Sequence, residues 1–158
     1  MIELRKITWD NWEECLGLKV TEEQDNFVAS NIYSLAQSFI HQTNDETPPF
    51  SMAIYNDDVM VGYTLYYYAA ADEDDPEDET CYYICRFMID KRYQGKGYGK
   101  QAMQKILEHI KTFPHGKAGI VLLSYEPTNT VAKKLYESLG FAETGEIEGD
   151  ELVSKLVL

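Results

Sequence analysis

The sequence is poor in the residues that staple or metallate small proteins, with three cysteines and three histidines among 158 residues. Cys15, Cys81 and Cys85 match no zinc-ligand spacing and have no histidine beside them, so neither a disulfide scaffold nor a metal site is expected. Cys81 and Cys85 fall on one face of one strand and are expected reduced and packed, as in a reducing compartment. Basic residues are also scarce: 14 Lys and Arg stand against 27 Asp and Glu, for a net charge of -13. Such a field repels nucleic-acid phosphates and anionic membrane surfaces and attracts cations, so neither nucleic acid nor membrane is an expected partner. No apolar run reaches membrane-spanning length, and no linker or internal repeat is visible. The opening MIELRKITWD reads as an amphipathic strand rather than a signal sequence, which places the protein in the cytoplasm by expectation. With 44% hydrophobic residues, the chain is long enough for one domain, residues 1–158, with its own core.

What is present is a glycine-rich loop, Arg92-Tyr93-Gln94-Gly95-Lys96-Gly97-Tyr98-Gly99-Lys100. Glycines at alternate positions let backbone approach a ligand closely, and a helix directly after them offers free N–H groups and the positive end of its dipole to phosphate oxygens. Arg92, Lys96 and Lys100 add positive charge. Spacing excludes two phosphate loops: a Walker A motif needs glycine at 94 and Ser or Thr at 101, where Gln94 and Gln101 stand. A dinucleotide fingerprint begun at Gly95 needs glycine where Lys100 stands, and lacks the later ribose-binding carboxylate. The run Tyr82–Asp90, YYICRFMID, reads as a buried strand entering the loop. Met103, Ile106, Leu107 and Ile110 recur at helical spacing on a helix from about Gly97 to Phe113, ended by Pro114 and Gly116.

Downstream, Gly119–Ser124 reads as a short buried strand. Next comes a helix capped by Asn129, with Val131, Leu135 and Leu139 on one face and Gly140 as its stop. The loop Gln94-x-x-Gly97-x-Gly99 and the string N-x-x-A-x-x-L-Y-x-x-L-G-F from Asn129 to Phe141 resemble the two signature segments of the GNAT superfamily of acyl-CoA-dependent N-acyltransferases. The two lie in the family's order, and the resemblance is strong over residues 80–146.

The resemblance implies acetyl-CoA as acyl donor and no metal. Gln94, Gly95, Lys96, Gly97, Tyr98, Gly99 and Lys100 would hold the pyrophosphate, with Asn129 and Lys133 as further cofactor contacts. Backbone groups of Phe87, Met88 and Ile89 would bind the pantetheine arm and polarise the thioester. Tyr136 would be the general acid toward the departing thiolate. With a phenol pKa of about 10 against about 8.5 for a thiol, a strengthening hydrogen bond is the better description than full transfer. An amine of pKa about 10.4 is nearly all protonated at pH 7, so a base is required. Glu79, at the head of the strand before the loop, is the candidate.

The remaining elements read as a strand Ile2–Ile7, a mostly helical stretch from Trp9 to Gln42 capped by Thr8 or Asp10 and broken near Ser30, and a hairpin of Phe50–Tyr55 with Val59–Tyr68. Two final strands turn near Glu148-Gly149-Asp150. The order βααβββαβαββ agrees with the GNAT fold, of α/β (α+β) class: a mixed central sheet of about seven strands flanked by about four helices. The chain also resembles bacterial spermine/spermidine (diamine) acetyltransferases. The matching segments are the V-G-Y strand with an acidic insert, R-F-M-I-D, the glycine loop and a closing G-E-x-x-G-D/E turn.

A cationic small-molecule amine, a polyamine above all, is therefore the expected acceptor. The insert Asp72-Glu73-Asp74-Asp75-Pro76-Glu77-Asp78-Glu79 reads as a solvated hairpin loop that also concentrates cations. Asp72, Glu73, Asp74, Asp75 and Tyr82 are its candidate substrate contacts, within a tyrosine cluster of 66–68, 82 and 83 whose alternate members must point to the core. Gln24, Asn31 and Ser34 are secondary candidates for which capping is the simpler explanation. The alternatives left open are acetylation of a protein amine, an amino acid or a xenobiotic amine, and a non-catalytic acyl-CoA sensor. Exposed final strands would suit a homodimer.

Overall fold

The computed structural model describes residues 1–158. One seven-stranded sheet organises the chain, in the spatial order β1-β2-β3-β4-β5-β7-β6. Strands β1 (Ile2–Lys6), β2 (Phe50–Asn56), β3 (Val59–Ala69) and β4 (Cys81–Ile89) pair antiparallel in succession, β1 with β2, β2 with β3 and β3 with β4. Strand β5 (Ile120–Tyr125) lies parallel to β4, and the hairpin β6 (Ala142–Glu148) and β7 (Glu151–Val157) completes the far side. Helices α1 (Trp12–Gly17), α2 (Asn31–Asn44), α3 (Tyr98–Ile110) and α4 (Thr130–Glu137) complete the order read from the sequence, βααβββαβαββ.

Helix α3 arises from its apolar spacing. Ala102, Met103, Ile106, Leu107 and Ile110 are buried, and they meet Tyr66, Tyr82, Ile84, Val121 and Leu123 of the sheet in the main core. Burying each large side chain contributes about 1.5–3 kcal/mol. The helix ends at Ile110 rather than Phe113, because Thr112 N–H turns to the His109 carbonyl and Phe113 adopts φ +52.

The N-terminal stretch differs more. Residues 18–30 leave the helical path except for a short turn at Glu22–Gln24, for a tertiary reason. Lys19 N–H donates to Asp90 Oδ2 (2.9 Å) and its carbonyl accepts from Lys91 N–H (2.8 Å), so backbone groups a helix would use are committed elsewhere. Nor do Thr8 or Asp10 cap α1. Asn11 occupies the cap position, and its Oδ1 accepts from Thr8 N–H at 2.8 Å. Ser30 does cap α2, accepting from Tyr33 N–H.

A β-bulge at Cys85 sets the facing of the second half of β4. Leu65 pairs with Arg86 but Tyr66 with Ile84, leaving Cys85 as the extra residue. A bulge re-aims the side chains beyond it. Tyr82 and Ile84 pack toward α3 before the bulge, and Phe87 and Ile89 return to that side after it. Cys85 and Arg86 are adjacent, yet both reach Gln37 of α2.

Candidate active site

The parallel pairing of β4 with β5 stops at Ile84–Leu123, whereas β4 runs on to Ile89, still paired with Gly62 of β3 on its other edge. The strands splay and open a cleft of about 840 Å³, lined among others by Phe87, Ile89, Gln94, Gly99, Asn129 and Tyr136. Asp90 N–H donates to Val61 O of β3, so strand alternation turns the N–H and C=O of Phe87 and Ile89 toward the opened side. The Met88 side chain instead packs in the cluster under α1 and α2.

At one end of this edge lies the glycine loop. Gly95 and Gly97 have φ of +74 and +78, a region that L side chains rarely adopt. Through this path the N–H groups from Gly95 to Lys100 donate to nothing within the protein, at the N-terminus of α3. That is a donor set for a diphosphate. Gln94, Gly95 and Gly99 line the cleft; Lys96 and Lys100 are exposed, and Lys96 Nζ lies over the Tyr93 ring. The Tyr98 side chain turns away, packing beside β1 and accepting from Asn56 Nδ2 at 3.4 Å.

Two residues, Gln94 and Asp90, hold the loop in place. Gln94 Nε2 donates to the Ile89 carbonyl (2.9 Å) and exchanges amide hydrogen bonds with Gln24 (2.9 and 3.2 Å), tying the loop to the segment after α1. Asp90, 2% exposed, accepts from Lys19 N–H, Arg92 N–H and the Arg92 guanidinium. Burial pushes its carboxyl up, but these donors outweigh burial and hold it below the usual carboxylate range.

Tyr136 comes to the cleft from α4, whose cap Asn129 accepts from Ala132 N–H at 3.2 Å. The ring is 8% exposed, packed between Tyr125 and Phe141, yet its hydroxyl makes no hydrogen bond within the protein. Burial first, then the charge of Glu151, pushes the phenol up, so it stays protonated. Lys133 lies outside the cleft lining, with Nζ on Glu143 at 2.7 Å. The cysteines are free, and burial raises all three thiols, Cys15 to about 12 and Cys81 to about 11. Cys85 lines the cleft but is therefore a poor nucleophile at neutral pH.

Several residues singled out from the sequence lie elsewhere. Tyr82 is fully buried on the α3 side, where its hydroxyl donates to Gly116 O at 3.0 Å, so it cannot meet an acceptor. Alternation leaves Tyr67 and Tyr83, stacked at 5.6 Å, as the pair on the other face. Glu79 pairs with Lys155 at 2.7 Å, outside the cleft. Asp72, Glu73, Asp74 and Asp75 do not line the cleft either. Asp72, Asp75 and Asp78 accept from loop N–H groups and brace the insert itself. Asn31 donates to Cys15 O and Ser34 to Ser30 O, so both are internal.

Sequence reasoning missed Ser124, Arg86, Glu148 and Glu151. Ser124 Oγ donates to Glu151 Oε2 (2.5 Å), and the Tyr83 hydroxyl meets Ser124 Oγ and Glu148 Oε2, each at 3.0 Å. A turn with glutamates at both of its strand ends, Glu148-Gly149-Asp150-Glu151, signalled that these two stand opposite each other, but nothing local pointed to Ser124 or Arg86 or to the strands that Glu151 meets.

A cradle of free N–H groups, an opened strand edge and a buried phenol thus meet in one cleft. The chain matches the model of the acetyltransferase (GNAT) family over residues 2–141. It belongs to that family and is an acetyl-CoA-dependent N-acetyltransferase. It is 28% identical, over 98% of its length and 97% of the relative's, to the spermine/spermidine N(1)-acetyltransferase of Bacillus subtilis strain 168. Among solved structures it is similar to aminoglycoside acetyltransferase AAC(6')-Ib in complex with coenzyme A (TM-score 0.75, 14% identity, 99% of this chain and 95% of that one). It is also similar to the PaiA N-acetyltransferase of Thermoplasma acidophilum, likewise in complex with coenzyme A (TM-score 0.66, 14% identity, 100% and 99%).

Proposed function

We propose that the protein acetylates a primary amine of a polyamine such as spermidine or spermine, the amine attacking the donor thioester directly. The observation that carries this reading is the single wall of the cleft on which an unpartnered buried phenol, Tyr136, stands with a carboxylate, Glu151. When bound, acetyl-CoA supplies an acyl group activated as a thioester. The N–H groups of Gly95 to Lys100 hold its diphosphate, and the outward-turned backbone groups of Phe87 and the Ile89 N–H pair with its amide-bearing arm, the Ile89 carbonyl being held by Gln94. The Tyr136 hydroxyl, kept protonated, gives a hydrogen bond where thiolate charge develops. The depressed reactivity of Cys85 argues against an acyl-cysteine step.

The acceptor class rests on charge and likeness together. The net charge of -13 favours any cation, and the Bacillus relative, matched along nearly its whole length, is a spermine/spermidine enzyme. The exposed acidic insert supplies part of this field without touching the cleft. The test is acetyl-CoA-dependent thiol release with spermidine, spermine, short diamines, aminoglycosides, amino acids and lysine peptides. Preferred turnover of the polyamines is the expected result; preference for an aminoglycoside or a peptide would replace the acceptor while leaving the chemistry standing.

A further inference from the structure

We propose that Glu151 is the base of the reaction: it receives the acceptor's ammonium in the cleft and takes its proton, held in position by Ser124, Tyr83 and Glu148. This rests on the amine-acetyltransferase reading above and deepens it, because amide formation from an ammonium and a thioester releases one proton net.

Proton counting in the side-chain chain supports the assignment. Glu148, Tyr83, Ser124 and Glu151 make three oxygen–oxygen contacts in series, at 3.0, 3.0 and 2.5 Å. Two hydroxyls bring two protons. With both carboxylates ionised, one contact has no hydrogen in it; a third proton, arriving on Glu151, makes every contact a hydrogen bond. The proton leaves nitrogen as its N–H bond breaks, the electron pair stays on nitrogen, and an O–H bond forms on Glu151. Glu148, exposed at the other end, passes the surplus to solvent.

The hairpin adds a second reason. Glu148 and Glu151 face each other across β6 and β7, and like charges directly opposite are destabilising, so a bound cation relieves the pair. An independent observation marks the same place as a ligand site: Tyr136 is 8% exposed, lines the cleft with Glu151 and Ser124, and has a hydroxyl without a partner in the protein.

The groups around Glu151 are consistent with this role. From β4 come Tyr83, Cys85 and Arg86, from β6 Glu148, and from α4 Tyr136. Arg86 is the cation among them; its Nη1 and Nη2 donate to the Cys85 carbonyl (2.7 Å) and Gln37 Oε1 (2.9 Å), its buried Nε has no partner, and it makes no ion pair with Glu151. Glu151 is thus free to meet an ammonium.

The test uses Glu151→Gln with whichever amine the native enzyme turns over best, and has two readouts. Calorimetric affinity for that amine, measured without acyl donor, is expected to weaken about tenfold, since a charge-assisted contact is lost. The value of kcat/KM is expected to fall about a hundredfold or more at pH 7. That loss should recover about tenfold per pH unit toward the amine's own pKa of about 10.4, as free amine replaces the missing base. Acetyl-CoA affinity reports folding; if it is lost, Ser124→Ala, which keeps the carboxylate but frees it, must show the same pH-dependent deficit at smaller amplitude. Native-like turnover, or a deficit equal at every pH, overturns the assignment alone. Absence of turnover by the native enzyme with any amine overturns the acetyltransferase reading and this inference with it.

Discussion

Tyr136 carries the sharpest residue-scale expectation. Its hydroxyl satisfies nothing in the protein, so removing it costs no internal hydrogen bond. Tyr136→Phe is therefore expected to leave the melting temperature unchanged or slightly raised and acetyl-CoA affinity within about twofold, while kcat falls about a hundredfold. Turnover equal to the native enzyme would reduce the residue to packing against Tyr125 and Phe141. Asp90 carries the opposite expectation. A carboxyl held below its ordinary range contributes stability that is present above the unfolded pKa of about 3.9 and lost as pH falls through the folded value. Asp90→Asn should cost about 2 kcal/mol at neutral pH and should lose less on acidification, the two proteins converging in acid denaturation curves. Parallel curves at all pH values would mean that the charge of Asp90 is not what holds the loop.

At the scale of elements, the glycine loop and the splayed strands form one device. The loop is positioned by Gln94, which reaches both the Ile89 carbonyl and Gln24, so the segment after α1 helps to set the cofactor cradle. Gln24→Ala is expected to raise KM for acetyl-CoA about three- to tenfold with kcat nearly unchanged, because ground-state positioning is what it removes. An altered kcat with unchanged KM would contradict that division. Both signature segments were legible in the sequence because their information is local. Glycines at 95 and 97 are required by the backbone itself, and the α3 stripe from Ala102 to Ile110 keeps helical period. The coil from Lys19 onward was not legible: its path is fixed by Asp90, 71 residues away, and no propensity encodes that. Tyr82 was expected on the wrong face for a related reason. The strand pattern fixes alternation but not which face meets α3, and the bulge at Cys85 then reverses parity halfway along. Glu151 was hidden because its partners, Ser124 and Tyr83, come from other strands.

For the whole molecule, charge is the governing property. Seven of the 27 acidic residues sit between Asp72 and Glu79, where the loop is exposed and braced by its own aspartates. Because this insert lies outside the cleft, its effect on a cationic acceptor is expected to act through the field. Asn and Gln substitution of its acids should raise KM for the amine about threefold at low ionic strength and leave it unchanged in high salt, where the Debye length shrinks to about 3 Å. An unchanged KM at low salt would leave the insert as a solvated loop only. The central claim, acetyl transfer from a cofactor in the β4–β5 cleft to a polyamine nitrogen, is tested most directly by single-turnover mass spectrometry with labelled acetyl-CoA and spermidine. One labelled acetyl group on spermidine nitrogen, formed by the native protein and suppressed in Tyr136→Phe with cofactor still bound, is the expected result. Label released as free acetate, or left on the cofactor while spermidine binds, would contradict it.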